Sequence, residues 1–287
     1  MPEARIGVIG GTGLYEIEGL SDIEEVRVKT PFGDPSDSIV VGILEGTGIA
    51  FLPRHGRGHR INPTELPSRA NIYALKSLGV EWIISINSAG SLKEELAPRH
   101  LVIPDQIIDR TRGRVSSFFG DGLVVHIPFA DPFCPLLSEI LHRAAQDAGA
   151  TVHKGGTFIA MEGPQFSTRA ESRLYRSWGG SIIGMTVLPE AKLAREAEIC
   201  YASVACVTDY DCWHDEKEPV TAEIILAVLA ENISTAKEII KIASPLIPGR
   251  RDCECASALM TGMVTPPKLI PERMKRELAL LIGRYVQ

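Results

Sequence analysis

The residues best suited to chemistry lie in six short polar segments, most of which follow a run of β-branched or apolar residues. Thr208-Asp209-Tyr210-Asp211 follows the apolar run 201–207. Carboxylates at i and i+2 of an extended segment point the same way, and like charges held close raise at least one pKa. A carboxyl group that keeps its proton near neutral pH is a general acid; a solvated acidic turn is the other reading. Arg54-His55-Gly56-Arg57-Gly58-His59 follows the run 49–52. Two arginines and two histidines among glycines suit an exposed anion site, with arginine supplying a planar donor fork. A solvated loop would read the same. Gly10-Gly11-Thr12-Gly13 follows the run 6–9. Its glycines let successive backbone N–H groups converge on an anion, and the Thr12 hydroxyl adds a donor, although a tight turn without a ligand has the same composition. The spacing is not that of a dinucleotide loop, because Glu16 stands where the third glycine would fall. Nor is it a Walker loop, since no Gly-Lys-Ser/Thr follows.

Asn87-Ser88-Ala89-Gly90-Ser91 follows 82–86 and offers hydroxyl and backbone N–H groups to complete a phosphate cradle. The GxSxG spacing of a serine-hydrolase elbow is missing there. In Met161-Glu162-Gly163-Pro164-Gln165-Phe166, the glutamate is placed to grip sugar hydroxyls or to cap a helix. Gly184-Met185-Thr186 is the sixth segment.

Stepping outward, the elements that carry these segments alternate. Short strands are expected at 6–9, 82–86, 101–103, 157–161, 182–185 and 201–207, and a hairpin at 39–44 and 49–52 around Glu45-Gly46-Thr47-Gly48. Helices are expected at 67–78, where Ile72, Leu75 and Leu78 share a face, and at 135–148, 168–177, 189–197 and 221–242. The sequence therefore predicts an α/β fold: one domain with a central, mostly parallel or mixed sheet and helices on both faces. Ligands of such sheets bind at the C-terminal ends of strands, where most of the six segments fall. After Ser244 prolines cluster, which reads as a tail wrapping the domain and ending in a helix over 272–284.

Composition narrows the partners. The formal net charge is −6 and no long run of Lys or Arg occurs, so no basic face for nucleic acid is expected. No stretch approaches the roughly 20 apolar residues of a membrane helix, and residues 1–5 do not resemble a signal peptide; a cytoplasmic protein without a membrane partner is expected. Cys253-Glu254-Cys255 offers two thiols with no CxxC or HxxH set beside them, so no metal is expected.

Taken in order, the six segments resemble the trimeric purine nucleoside phosphorylase superfamily, most closely its methylthioadenosine phosphorylase branch. The likeness runs from Ile6 to about Pro248. It is most specific at Thr30-Pro31-Phe32-Gly33-Asp34-Pro35-Ser36-Asp37, Arg54-His55-Gly56, Asp105-Gln106, Asp109-Arg110-Thr111, Glu162-Gly163-Pro164-Gln165-Phe166, Arg169-Ala170-Glu171 and 208–213. The resemblance implies a nucleoside phosphorylase-like fold and a phosphate site of Thr12, Arg54, His55, Ser88, Ala89 and Thr186. It further implies that Phe166 stacks near base and ribose, that Met185 holds the ribose hydroxyls, and that Asp209 and Asp211 face the purine. Ala222 and Ile225 would line an apolar 5′ pocket. His126 would reach a neighbouring subunit's site, in a homotrimer or a dimer of trimers. No cofactor is implied; inorganic phosphate is a co-substrate.

The implied reaction is phosphorolysis of a methylthioadenosine-like nucleoside. Asp209 would protonate purine N7 while phosphate attacks C1′ from the other face and offsets the cationic sugar. A carboxylate at 209 suits the amino group of a 6-aminopurine, where an Asn amide would suit O6. A 6-oxopurine phosphorylase acting on inosine, guanosine or methylthioinosine stays open, because a protonated Asp209 can donate to O6. A non-catalytic nucleoside-binding protein is the alternative of another class, disfavoured by the full phosphate set. Because some thermophilic archaeal relatives carry a CxC in the tail, the resemblance also implies disulfides among Cys134, Cys200, Cys206, Cys253 and Cys255, including Cys253 with Cys255.

Overall fold

The computed structural model describes residues 3–11, 13–214 and 222–286, with the side chains of 222–227 and 229–231 outside the description. In chain order, β1 (Ile6–Gly10), β2 (Ser21–Val26), β3 (Ile39–Leu44) and β4 (Thr47–Pro53) precede α1 (Ser68–Ser77) and β5 (Trp82–Ser91). Then come β6 (Leu101–Ile103), β7 (Gln106–Arg110), α2 (Pro135–Asp147), β8 (Val152–Lys154), β9 (Thr157–Met161), α3 (Arg169–Ser177) and β10 (Gly180–Gly184). The chain continues through α4 (Val187–Glu196), β11 (Cys200–Asp209), α5 (Ala222–Leu246), α6 (Glu272–Glu277) and α7 (Ala279–Ile282).

β5 is the axis of a mixed sheet. Its first half pairs in parallel with β1, Trp82 to Gly90 pair in parallel with β11, and Gly90 and Ser91 pair antiparallel with β10. β4 flanks β1 in parallel, and β9 lies parallel between β10 and β7. Side chains alternate across the sheet: Ile83 enters one apolar cluster and Ile84 the other. Leu75 of α1 and Leu193 of α4 pack into the first, and Leu141 of α2 and Ile239 of α5 into the second. Helices thus cover both faces, as the alternating pattern predicts.

The hairpin between β3 and β4 closes on Glu45 and Gly46, both at positive φ, the geometry that lets a two-residue turn follow the twist of its strands. Three expectations shift. β5 runs on to Ser91, because β11 and β10 supply partners for residues that read as a loop. β2 and β7 were not expected from the sequence, since β2 has only Val26 buried and β7 only half-buried or exposed residues, so neither has an apolar alternation to read. The expected terminal helix is two short ones, broken at Leu278 where φ reaches −101°.

Candidate active site

Four strand ends converge at the C-terminal half of β5. The Arg54 main-chain N–H, just past β4, donates to the Gly10 carbonyl at the end of β1. The Asn87 side chain on β5 accepts from the Thr186 hydroxyl at 2.7 Å, while its amide donates to Ser85 and Ser203. A β-carbon on Gly184 would lie 3.1 Å from the Ser88 carbonyl, so the turn into α4 lies directly against β5. On the other side, the Thr208 hydroxyl lies 3.3 Å from the Ala89 carbonyl. Gly90 leaves the space that Asp209 fills: a β-carbon there would lie 3.0 Å from Asp209 Oδ1 and 3.4 Å from Asp211 Cβ. Ser88, Ala89, Met185, Thr186, Asp209 and Asp211 are therefore gathered on one sheet end.

Asp209 is half-buried. Burial pushes its pKa above the ordinary carboxylate value, against the hydrogen bonds it accepts from the Thr208 hydroxyl and the Asp211 N–H, each at 2.7 Å. Asp211 is raised as well, by burial first, with the Asp209 charge a lesser contribution. The expected segment geometry is corrected here: Asp211 sits at φ +51°, so the two carboxylates do not share a simple extended strand. Desolvation rather than mutual repulsion does most of the work.

Arg54 also differs from the expected exposed anion loop, because it is 3% exposed. Its Nε donates to Glu190 Oε1 at 2.5 Å, and its Nη2 donates to Ser85 Oγ at 2.7 Å and to Glu190 Oε2 at 3.1 Å. One Nη1 hydrogen goes to the Ile86 carbonyl at 2.9 Å. A buried guanidinium requires a carboxylate partner, and Glu190 at the start of α4 provides it. His55 is neutral: burial lowers its pKa to about 4, with the neighbouring Arg54 charge a smaller cause. Its Nδ1 lies 2.8 Å from the Ile61 carbonyl and so carries the ring hydrogen, which leaves Nε2 as an acceptor. Arg57 faces away into an ion pair with Glu25.

The 161–168 segment is fixed by a residue that sequence reasoning did not single out. Arg114 donates to the Met185 and Leu188 carbonyls at 2.6 and 2.7 Å and to the carbonyls of Met161 and Glu162, and it pairs with the Glu162 carboxylate at 3.2 Å. Glu162 thus serves as an anchor for Arg114 and for the Arg112 N–H. Met185 lies against Gly163, where a β-carbon would come within 2.5 Å of its sulfur. Phe166 is largely exposed, and the neighbouring Ser167 carbonyl accepts from the Cys212 thiol beside Asp211. His126 is exposed; its main chain is held by Gly262 of the tail. Thr12 lies outside the described residues, as do the side chains of Ala222 and Ile225 on α5.

Glu190 and Arg114 are the residues that the sequence reading missed, and Asn87 stood in a segment it named but with no role for its side chain. A carboxylate inside the apolar stretch Val187-Leu188-Pro189-Glu190-Ala191 was the available signal for the first.

Comparison with known proteins agrees with this fold. A family model described as "Phosphorylase superfamily" matches residues 5–244. S-methyl-5′-thioadenosine phosphorylase from Geobacter sulfurreducens is 58% identical over 285 residues, covering 99% of this chain and 100% of the relative. The protein of the same name from Chloroflexus aurantiacus is 57% identical, with 99% of each chain covered. Among solved structures, methylthioadenosine phosphorylase from an antarctic soil metagenomic library superposes with a TM-score of 0.94 at 49% identity, covering 98% of this chain and 99% of that one. Methylthioadenosine phosphorylase from Schistosoma mansoni in complex with adenine gives 0.80 at 34% identity, with 98% of each covered. With the matched segment spanning most of the sequence and the strand ends converging as described, the chain belongs to the phosphorylase superfamily.

Proposed function

We propose that this protein cleaves S-methyl-5′-thioadenosine with inorganic phosphate, giving adenine and 5-methylthioribose 1-phosphate, a step of purine and methionine salvage. The observation that carries the reading is Asp209: a carboxyl group raised by burial, at the end of the central strand pair, on the sheet end that also gathers Ser88 and the Thr186 hydroxyl. Full-length relatives bearing that enzyme name support the substrate.

The protonated Asp209 donates to N7 of the leaving purine, so that the base departs neutral rather than as an anion. Asp211, raised by the same burial, stands behind it and holds Asp209 Oδ1 through its main-chain N–H. On the other face, phosphate is held by Thr12, the Ser88 hydroxyl, the Ala89 and Thr186 main chain and the remaining Nη1 hydrogen of Arg54. Neutral His55 contributes an acceptor at Nε2, which takes a P–OH hydrogen and adds no charge. Most of the positive charge in this half of the site is neutralised by Glu190, so phosphate keeps its own charge to stabilise the cationic sugar. Phe166 and Met185 cover base and ribose, with Ala222 and Ile225 at the 5′ group. His126 completes a neighbour's site in a homotrimer.

Among the described residues, no helix is long and apolar enough to cross a membrane.

Phosphate-dependent release of free base from a panel of methylthioadenosine, adenosine and inosine tests the proposal. Methylthioadenosine should lead in kcat/KM, since burying a thiomethyl group in place of a hydroxyl is worth about 1–3 kcal/mol. An enzyme that prefers inosine would overturn it.

A further inference from the structure

Four of the six cysteines meet at one point, far apart in sequence. Cys134 precedes α2 and its N–H donates to the Tyr201 carbonyl, while Cys200 opens β11. Cys253 and Cys255 come from the tail, in and beside a short 3-10 turn at Glu254–Ser257. Their sulfurs all lie within 4.8 Å of one another, with Cys200 and Cys253 at 3.2 Å and Cys134 and Cys253 at 3.8 Å. All six cysteines of the chain are free, so the Cys253–Cys255 bridge implied by the resemblance is not formed.

We propose that Cys134, Cys200, Cys253 and Cys255 form a closed tetrathiolate site for a Zn²⁺ ion that clips the C-terminal tail to the sheet. The donor set is all sulfur and numbers four, which selects zinc among common divalent ions. A Zn–S bond of about 2.3 Å in a tetrahedron sets S···S edges of about 3.8 Å. The observed separations bracket that value, whereas two independent disulfides would draw the sulfurs into two separate pairs. Cys134, Cys200 and Cys255 are buried, and Cys253 is half-buried, which leaves one side for the ion to enter. Binding converts four thiols to thiolates and releases their protons to solvent, leaving a site of net charge −2. The spacing Cys-x-Cys alone gives two ligands; the other two are supplied by the fold, which is why the sequence predicts no metal.

The test is metal content of the full-length protein, purified under reducing conditions, equilibrated with zinc and then freed of loose ions by a chelating resin. About one zinc per chain is expected. Cys253→Ser and Cys200→Ser should each lower it at least tenfold, and Cys206→Ala, a buried cysteine outside the cluster, should leave it unchanged. Cobalt exchanged into the wild-type protein should show the intense visible bands of a tetrahedral thiolate complex, a readout that needs no variant to fold. Wild-type protein that retains no zinc would overturn the proposal, as would zinc retained in full by both serine variants. A Cys200–Cys253 disulfide found by peptide mapping of the freshly purified protein would overturn it equally.

Discussion

At Asp209 two influences oppose each other. The Thr208 hydroxyl and the Asp211 N–H favour the charged form, and burial favours the neutral one; burial prevails. Because the neutral form is the proton donor, kcat/KM should decline as pH rises through this raised pKa, and a pH–rate profile will show that limb lost in Asp209→Asn. Asp209→Ala should lower kcat by roughly 100-fold, measured with methylthioadenosine at saturating phosphate. Asp209→Asn should also move preference toward 6-oxopurines, because an amide donates as well as accepts. Arg54 behaves differently from a surface phosphate clamp. Arg54→Ala leaves Glu190 buried without its cation, at a cost of about 3–5 kcal/mol, and chemical denaturation will register it. The double variant Arg54→Met with Glu190→Gln should recover most of that loss while still binding phosphate more weakly than wild type. Asp209 was legible in the sequence because a carboxylate after an apolar strand is a local signal. Glu190, Arg114 and the bridging role of the Asn87 side chain were not, because each acts through partners brought close only by the folded sheet. Arg54 and Glu190 stand 136 positions apart.

At the scale of elements, α4 places Thr186 and Glu190 at its beginning and Glu196 at its end. Burial pushes Glu196 up to about 7, against the hydrogen bonds from the Phe118 N–H and the Ser117 hydroxyl. Its folded pKa lies above the unfolded one, so its contribution to stability is fully present below its ordinary 4.5 and is lost as pH rises through about 7. Glu196→Gln should flatten the dependence of Tm on pH across that window and, above it, stabilise the protein by roughly 3 kcal/mol. Calorimetry of both proteins at several pH values checks this. The buried strands and amphipathic helices could be read from periodicity, since each hides a face from water. β2 and β7 could not, because an edge or half-exposed strand is specified by its neighbour's backbone more than by its own side chains. The extension of β5 to Ser91 escaped for the same reason.

For the whole molecule, the segment beyond Ser244 lies outside the matched family region and does more than wrap. Gly262, Val264 and Thr265 bind the 124–126 main chain that carries His126. Glu198, 4% exposed at the turn before β11, accepts from the Leu259 N–H, Arg284 and Tyr285. Removing residues 284–287 takes away the cation and the phenol together. Because Arg284 is partly screened by solvent, stability should fall by only about 1–3 kcal/mol, measured by urea denaturation against the full chain. That contact also has a temporal side. A ribosome adds Glu198 long before Arg284, so during synthesis the carboxylate must stay hydrated until the final turns emerge. A polypeptide that stops short of Arg284 lacks the cation and the phenol that let this corner dry out.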